Sequence, residues 1–135
     1  MIVIVCVDNE GGMMFNNRRQ SRDREVIKDI MNNLEGKLWI RSYSEELFVD
    51  YLDRVIIDNN LLDNIEGKQY CFIEDITLEG YVDRIDSVIM YNWNKRYPKD
   101  MWFEVDMSNF EHTASIDIEG YSHEKITKDT YIRKE

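Results

Sequence analysis

Four arginines fall within seven residues, at Arg18, Arg19, Arg22 and Arg24, and Asp23 sits among them. Guanidinium groups so placed can grip an anion through charge-assisted hydrogen bonds, helped by the free N–H groups of a helix start. Asp23, in the first turn of that helix, can bind a heterocycle's amino and ring N–H groups and assist its protonation. Each feature also has a plain structural use. A first-turn carboxylate is stabilised by the helix dipole, and arginines in an acidic protein pair with nearby carboxylates. Glu74-Asp75 is a second carboxylate pair, suited to a helix start or to a site that selects a cationic or metal-bound ligand. No further carboxylate can be set beside it, so no metal site is expected. His112 and His123 stand without HxH, HExxH or HxHxD spacing and are expected in turns or at the surface. No GxSxG, P-loop or Cys-His nucleophile pattern occurs.

The elements around these residues follow from hydrophobic period and turn chemistry. Ile2–Val7 is continuously apolar, as in a strand covered on both faces. Gly11-Gly12 and then Asn16-Asn17 break the chain into a polar loop carrying Arg18 and Arg19. Ser21 can cap the next helix, with Asp23 and Glu25 in its first turn. Val26, Ile27, Ile30, Met31 and Leu34 make its buried stripe, and Gly36 supplies the stop. Strands are expected at 37–41, 54–58 and 70–73. A second helix follows Ser42 or Ser44, where Ser42 and Glu45 have capping-box spacing. A short helix covers Leu61–Ile65 and ends at Gly67, and another carries Leu78, Tyr81, Val82 and Ile85. The segments 87–93, 102–106, 110–119 and 124–133 read as strands with no helices between them. A parallel α/β first half thus gives way to an antiparallel end.

The 135 residues form one domain, 1–135, long enough to bury about two-thirds of the unfolded chain's surface. A net charge of −10 argues against non-specific nucleic-acid binding and against anionic membranes. No apolar run approaches the roughly 18 residues a membrane span needs. Cys6 and Cys71 lie in apolar strand patterns and are expected as reduced core residues of a cytoplasmic protein. Trp39, Tyr43, Tyr91, Trp93, Trp102 and Phe103 are read mainly as packing, with room for one or two to stack on a flat ligand.

The order of these elements resembles dihydrofolate reductase. Val7-Asp8, the run from Gly12 to Asn17, and Asp23 match the family's first strand, flexible loop and acid-bearing helix. KLWIRSYSEEL at 37–47 is similar to its second strand and capped helix, with Ser44 where a phosphate-contacting threonine is usual. MSNFEHTASIDIEG and ITKDTYIRKE look like its closing strand pair. The resemblance covers most of the chain and implies a three-layer α/β fold with a mixed central sheet. It also implies a substrate-side cleft using Asp23 and, at the family's threonine position, Tyr91; the arginine cluster itself adds Arg18, Arg19 and Arg22 as ligand contacts.

The same resemblance locates departures on the cofactor side. Arg18-Arg19-Gln20 replaces an apolar Leu-Pro-Trp lid, and Glu74-Asp75 replaces a glycine pair that lets a pyrophosphate approach. A repulsion of about 1–3 kcal/mol there costs one to two decades in affinity. The stretch between Phe48 and Tyr70 is short for NADPH binding. The expectation is a divergent member that binds a small planar or anionic ligand, with NADPH possible but disfavoured. The alternatives are a non-enzymatic protein-interaction domain, which can be a homo-oligomer, and an RNA-processing role. The last rests on a loose likeness of the opening to chains labelled ribonuclease Z, without their HxHxDH metal motif.

Overall fold

The computed structural model describes residues 1–135. In chain order its strands are β1 (Ile2–Val7), β2 (Gly12–Phe15), β3 (Arg18–Arg19), β4 (Leu38–Ile40), β5 (Val55–Ile57), β6 (Tyr70–Phe72), β7 (Ser87–Asn92), β8 (Met101–Trp102), β9 (Phe110–Ile118) and β10 (Ile126–Arg133). The α-helices are α1 (Arg24–Asn32) and α2 (Leu61–Asn64). A long 3₁₀ segment spans Ser42–Arg54, with non-helical backbone at Phe48 and Tyr51.

β1 is apolar throughout because it lies inside a seven-stranded sheet of order β5-β4-β6-β1-β7-β10-β9. Its side chains alternate between two cores, as a strand's period of two requires. Val3, Val5 and Val7 join Met13, Met14, Leu61, Leu62 and Ile65 on one face. Ile4 and Cys6 meet Val26, Ile30, Met31, Leu38, Ile40 and Phe48 on the other. The result is three layers, with α1 and the 3₁₀ segment on one side and α2 with a three-stranded β3-β2-β8 sheet on the other. β1, β4, β5, β6 and β7 run parallel, with Ile2 beside both Tyr70 and Ser87. β10 turns antiparallel against β7 and β9, with a register shift between Thr130 and Tyr131. The expected fold class, parallel in its first half and antiparallel at its end, is the one observed.

Several local expectations are corrected. The Arg18–Arg19 loop is a hairpin, β2 to β3, whose turn places Asn16 and Asn17 at φ of 51° and 60°; asparagine tolerates this left-handed region better than most residues. Asp23, not Ser21, caps α1, accepting a hydrogen bond from the Glu25 N–H at 2.9 Å. The helix stops at Asn32, before Gly36. No capping box forms at Ser42, because its hydroxyl donates to Asn59 and the segment winds as 3₁₀. The helix expected around Leu78–Ile85 is a single 3₁₀ turn, Val82–Arg84, because Gly80 lies at φ 85° and breaks the run. The strand expected at 102–106 shrinks to Met101–Trp102 and pairs with β2 in the small sheet.

Candidate functional site

Because β1, β4 and β6 are parallel neighbours, the residues that follow them meet at one edge of the sheet, where pockets form in such folds. Asp8 leaves β1, Arg41 to Ser44 leave β4, and Glu74-Asp75 leave β6. The β2–β3 hairpin folds back over this edge and delivers Arg19 to Glu74. The Arg19 Nε and Nη2 donate to the two Glu74 oxygens at 3.0 and 2.9 Å. The Ser44 hydroxyl donates to Glu74 Oε2 at 2.6 Å. Arg19 also pairs with Glu46, donates to the Tyr43 carbonyl at 3.2 Å, and stacks 4.6 Å from the Tyr43 ring centroid. Burial works against the Arg19 charge, but Glu74 and Glu46 outweigh it and raise its pKa. Glu74 and Asp75 are therefore not a helix-start pair. Glu74 is held by Arg19 and Ser44, and Asp75 by Arg41 Nε at 3.1 Å.

Asp23 is buried, and its carboxylate is saturated. It accepts from the Tyr121 N–H at 2.9 Å and the Ser122 N–H at 2.8 Å. The Ser122 hydroxyl at 3.2 Å and His123 Nδ1 at 2.9 Å also reach it. Gly120 lets this loop close down, since a Cβ there would lie 2.7 Å from Asp23 Oδ2 and 2.6 Å from the His123 carbonyl. Burial would raise the Asp23 pKa, yet the His123 bond and the backbone N–H groups prevail and hold it well below the carboxylate range. His123 is no surface residue. The residue is 5% exposed, its ring stacks on Trp93 at 4.7 Å, and Nε2 lies 2.9 Å from the Ser21 hydroxyl. His112 does lie at the surface, bonded to Asp129 at 2.9 Å.

Two further carboxylates organise the edge. Asp8 accepts from the N–H groups of Glu10, Gly12 and Tyr97, from the Gln20 amide, and from Lys99 at 3.0 Å. Burial raises its pKa, but the Tyr97 N–H and the Lys99 ammonium dominate and bring it down to about 2. Asp29, on α1, receives the Tyr91 hydroxyl at 2.6 Å and Lys128 at 2.8 Å. Tyr91 is thus joined to Asp29 and not to Asp23; burial first, then Asp29, pushes its phenol up.

The structure brings Arg19, Ser44 and Glu74 together, while Asp75 stands beside them on Arg41. Arg18 and Arg22 remain exposed. Arg24 lies over the Tyr121 ring at 3.5 Å. Between α1 and the 3₁₀ segment is a cleft of about 240 Å³, bordered by Arg22, Arg24, Lys28, Glu46 and Asp50 over a floor of Ile27, Leu47 and Tyr51. A second cavity, about 450 Å³, lies between the hairpin and Tyr97-Pro98. Sequence spacing gave no signal for Ser122 and His123 as partners of Asp23, or for Ser21 as partner of His123, because about a hundred residues separate the two segments. Lys128 as partner of Asp29 was equally hidden.

No protein-family model matches the sequence, and no curated protein matches it. Solved structures do. A dihydrofolate reductase from Enterococcus faecalis, complexed with NADP(H) and RAB-propyl, superposes with a TM-score of 0.67 at 13% identity, covering 99% of this chain and 96% of that one. At that identity the likeness speaks for the fold alone, and it agrees with the layers and strand order described above: the chain has a dihydrofolate reductase-like fold.

Proposed function

We propose that this chain binds a small flat, anionic molecule in the cleft between α1 and the Ser42–Arg54 segment, and that it does not run NADPH-dependent reduction. The observation that carries the reading is the Arg19–Glu74–Ser44 cluster. The groups expected to meet a cofactor phosphate satisfy one another, so a pyrophosphate entering there would face Glu74 and Asp75 and compete for Arg19. The α1 cleft differs. Arg22, Arg24 and Lys28 border it against Glu46 and Asp50, and Glu46 is already paired with Arg19. Its apolar floor suits a flat ring, and its cations suit a carboxylate on that ring. Asp23 forms part of the wall, but its carboxylate, with no exposed surface, is turned to His123 and is an anchor for the loop rather than a ligand contact.

Thermal unfolding with folate, with 4-aminobenzoate and with NADPH tests this. A ligand present at about 100 times its dissociation constant adds roughly 2.7 kcal/mol. Folate or 4-aminobenzoate is expected to raise the melting temperature and NADPH to leave it unchanged, with the Arg22→Ala and Lys28→Ala double variant losing the response. NADPH stabilisation together with NADPH oxidation in the presence of dihydrofolate would overturn the reading. A protein-interaction role finds its best support in β9, an edge strand exposed at seven of its nine residues. Sedimentation at rising concentration, with no ligand response, would favour that role and a homo-oligomer.

A further inference from the structure

The geometry points to a serine nucleophile: we infer that Ser21, His123 and Asp23 form an acyl-transfer triad able to hydrolyse small activated esters. This inference is independent of the ligand cleft proposed above. Its basis is a continuous chain of hydrogen bonds. The Asp23 carboxylate is wholly buried and bound by four other donors, so it accepts. His123 Nδ1, 2.9 Å from Asp23 Oδ2, therefore donates to it. With Nδ1 as the donor, the neutral form of the ring holds its lone pair on Nε2, 2.9 Å from Ser21 Oγ. This is the tautomer and the order a Ser-His-Asp relay requires, recognised by geometry rather than by a sequence motif.

The surroundings support use as a site. The imidazole is fixed by stacking on Trp93 and is almost sealed from water, whereas Ser21 keeps partial exposure. The Tyr97 hydroxyl is 3.4 Å from the same Nε2, and Tyr97 together with Gln20, the chain neighbour of Ser21, lines the cavity of about 450 Å³. The backbone N–H groups of Ser21 and Arg22 donate to no group of the chain, so neither would give up a bond in donating to an oxyanion. In the reaction, Ser21 Oγ bonds to the acyl carbon and passes its proton to Nε2. The bond from that carbon to the leaving oxygen breaks, and the departing alcohol takes the proton from Nε2. Water then attacks the acyl-serine, giving a proton to Nε2; the carboxylic acid leaves and Ser21 regains its hydrogen. Ser21 and His123 are catalytic residues, and Asp23 is a positioning residue.

The test treats the full chain with a fluorophosphonate probe and with 4-nitrophenyl acetate. The expected result is a phosphonyl adduct located by mass spectrometry at Ser21, and a burst of nitrophenolate that Ser21→Ala abolishes while the melting temperature stays unchanged. His123→Gln should slow labelling by about 100-fold, the scale of a lost general base. Because His123 is buried and that variant can fail to fold, Ser21→Cys supplies a second reading. Its new thiol should react with iodoacetamide at least about tenfold faster than free cysteine at neutral pH, while the buried Cys6 and Cys71 stay silent. No adduct at Ser21 in the folded chain, or a Ser21→Cys thiol no faster than free cysteine, would overturn the inference and leave the three residues as a clasp between α1 and the Gly120–His123 loop.

Discussion

Replacing Arg19 by Met should cost about 3 kcal/mol, and the same replacement should cost almost nothing in a molecule that already carries Glu74→Leu. The reasoning starts from the paired distances of 3.0 and 2.9 Å. With an effective dielectric constant of about 20, unit charges roughly 3 Å apart attract by about 6 kcal/mol. Taking both charges out of water costs several kcal/mol each, so the intact pair contributes little against two well-packed apolar residues. Breaking it from one side is different. Arg19→Met leaves the Glu74 carboxylate, 8% exposed in its side chain, with only the Ser44 hydroxyl, and an uncompensated buried charge costs about 3 kcal/mol or more. Glu74→Leu is milder, about 1.5 kcal/mol, because Arg19 keeps Glu46 and the Tyr43 carbonyl. The double variant should lose only about 1.5 kcal/mol, a coupling of roughly 3 kcal/mol. Urea unfolding followed by tryptophan fluorescence measures all four corners. Losses that simply add, to about 4.5 kcal/mol in the double variant, would refute the claim that the pair is a buried, mutually dependent unit.

The Asp8 pKa is brought down from 3.8 to about 2 in the folded chain. A depressed folded value means stability present above the unfolded value and lost as pH falls, here between about pH 4 and 2; urea midpoints across that range should decline, and Asp8→Asn should flatten the decline. Asp23, lowered further, extends the loss below that window. Tyr91→Phe removes one hydroxyl from Asp29, which keeps Lys128; the expected cost is about 1 kcal/mol, with no effect on folate response, and loss of that response would restore Tyr91 as a ligand contact. In the hairpin, Asn17→Gly should hold or raise stability by a few tenths of a kcal/mol, while Asn16→Ala should lower it by about 1 kcal/mol, since both positions have positive φ. Gly120→Ala places a methyl group against Asp23 and the His123 carbonyl; a loss of about 2 kcal/mol in urea is expected, with slower Ser21 labelling.

The scaffold was legible because its signals are local and repeated. β1 announces a doubly covered strand by its unbroken apolar run, and the helix-free spacing after residue 86 marks the part of the chain that holds the antiparallel pairs, β10 with β7 and β9, although β7 itself still runs parallel to β1. The misreadings have equally local causes. Leu78, Tyr81, Val82 and Ile85 do have helical spacing, but Gly80 and a 3₁₀ turn place them without a helix. Ser42 and Glu45 match a capping box in type, yet Asn59 competes for the serine. At the site, the sequence marked Arg19, Ser44 and Glu74 separately, as a loop cation, a phosphate contact and a replaced glycine, but could not say that they bond to one another. That depends on how far a hairpin folds over β6, and no local pattern encodes it. His123 lies in a bend, one of its two expected places, but its burial was hidden for the same reason: its partner Asp23 is a hundred residues away and its stacking partner Trp93 thirty.

The coupling expected between Arg19 and Glu74 also bears on what such a site can bind. A ligand that must part the two would forfeit roughly 3 kcal/mol, about two decades of affinity, before making any contact of its own. An anion could recover part of this by taking Arg19, but it would then leave Glu74 charged, buried and beside its own negative group. A cation could take Glu74, but it would have to displace Arg19, which would keep only Glu46 and the Tyr43 carbonyl. The pair thus penalises either sign of ligand on the cofactor side, whereas the α1 cleft and the Ser21 hydroxyl can be approached without breaking it. On this reasoning, the acyl transfer inferred at Ser21 and His123 needs no parting of the Arg19–Glu74 pair.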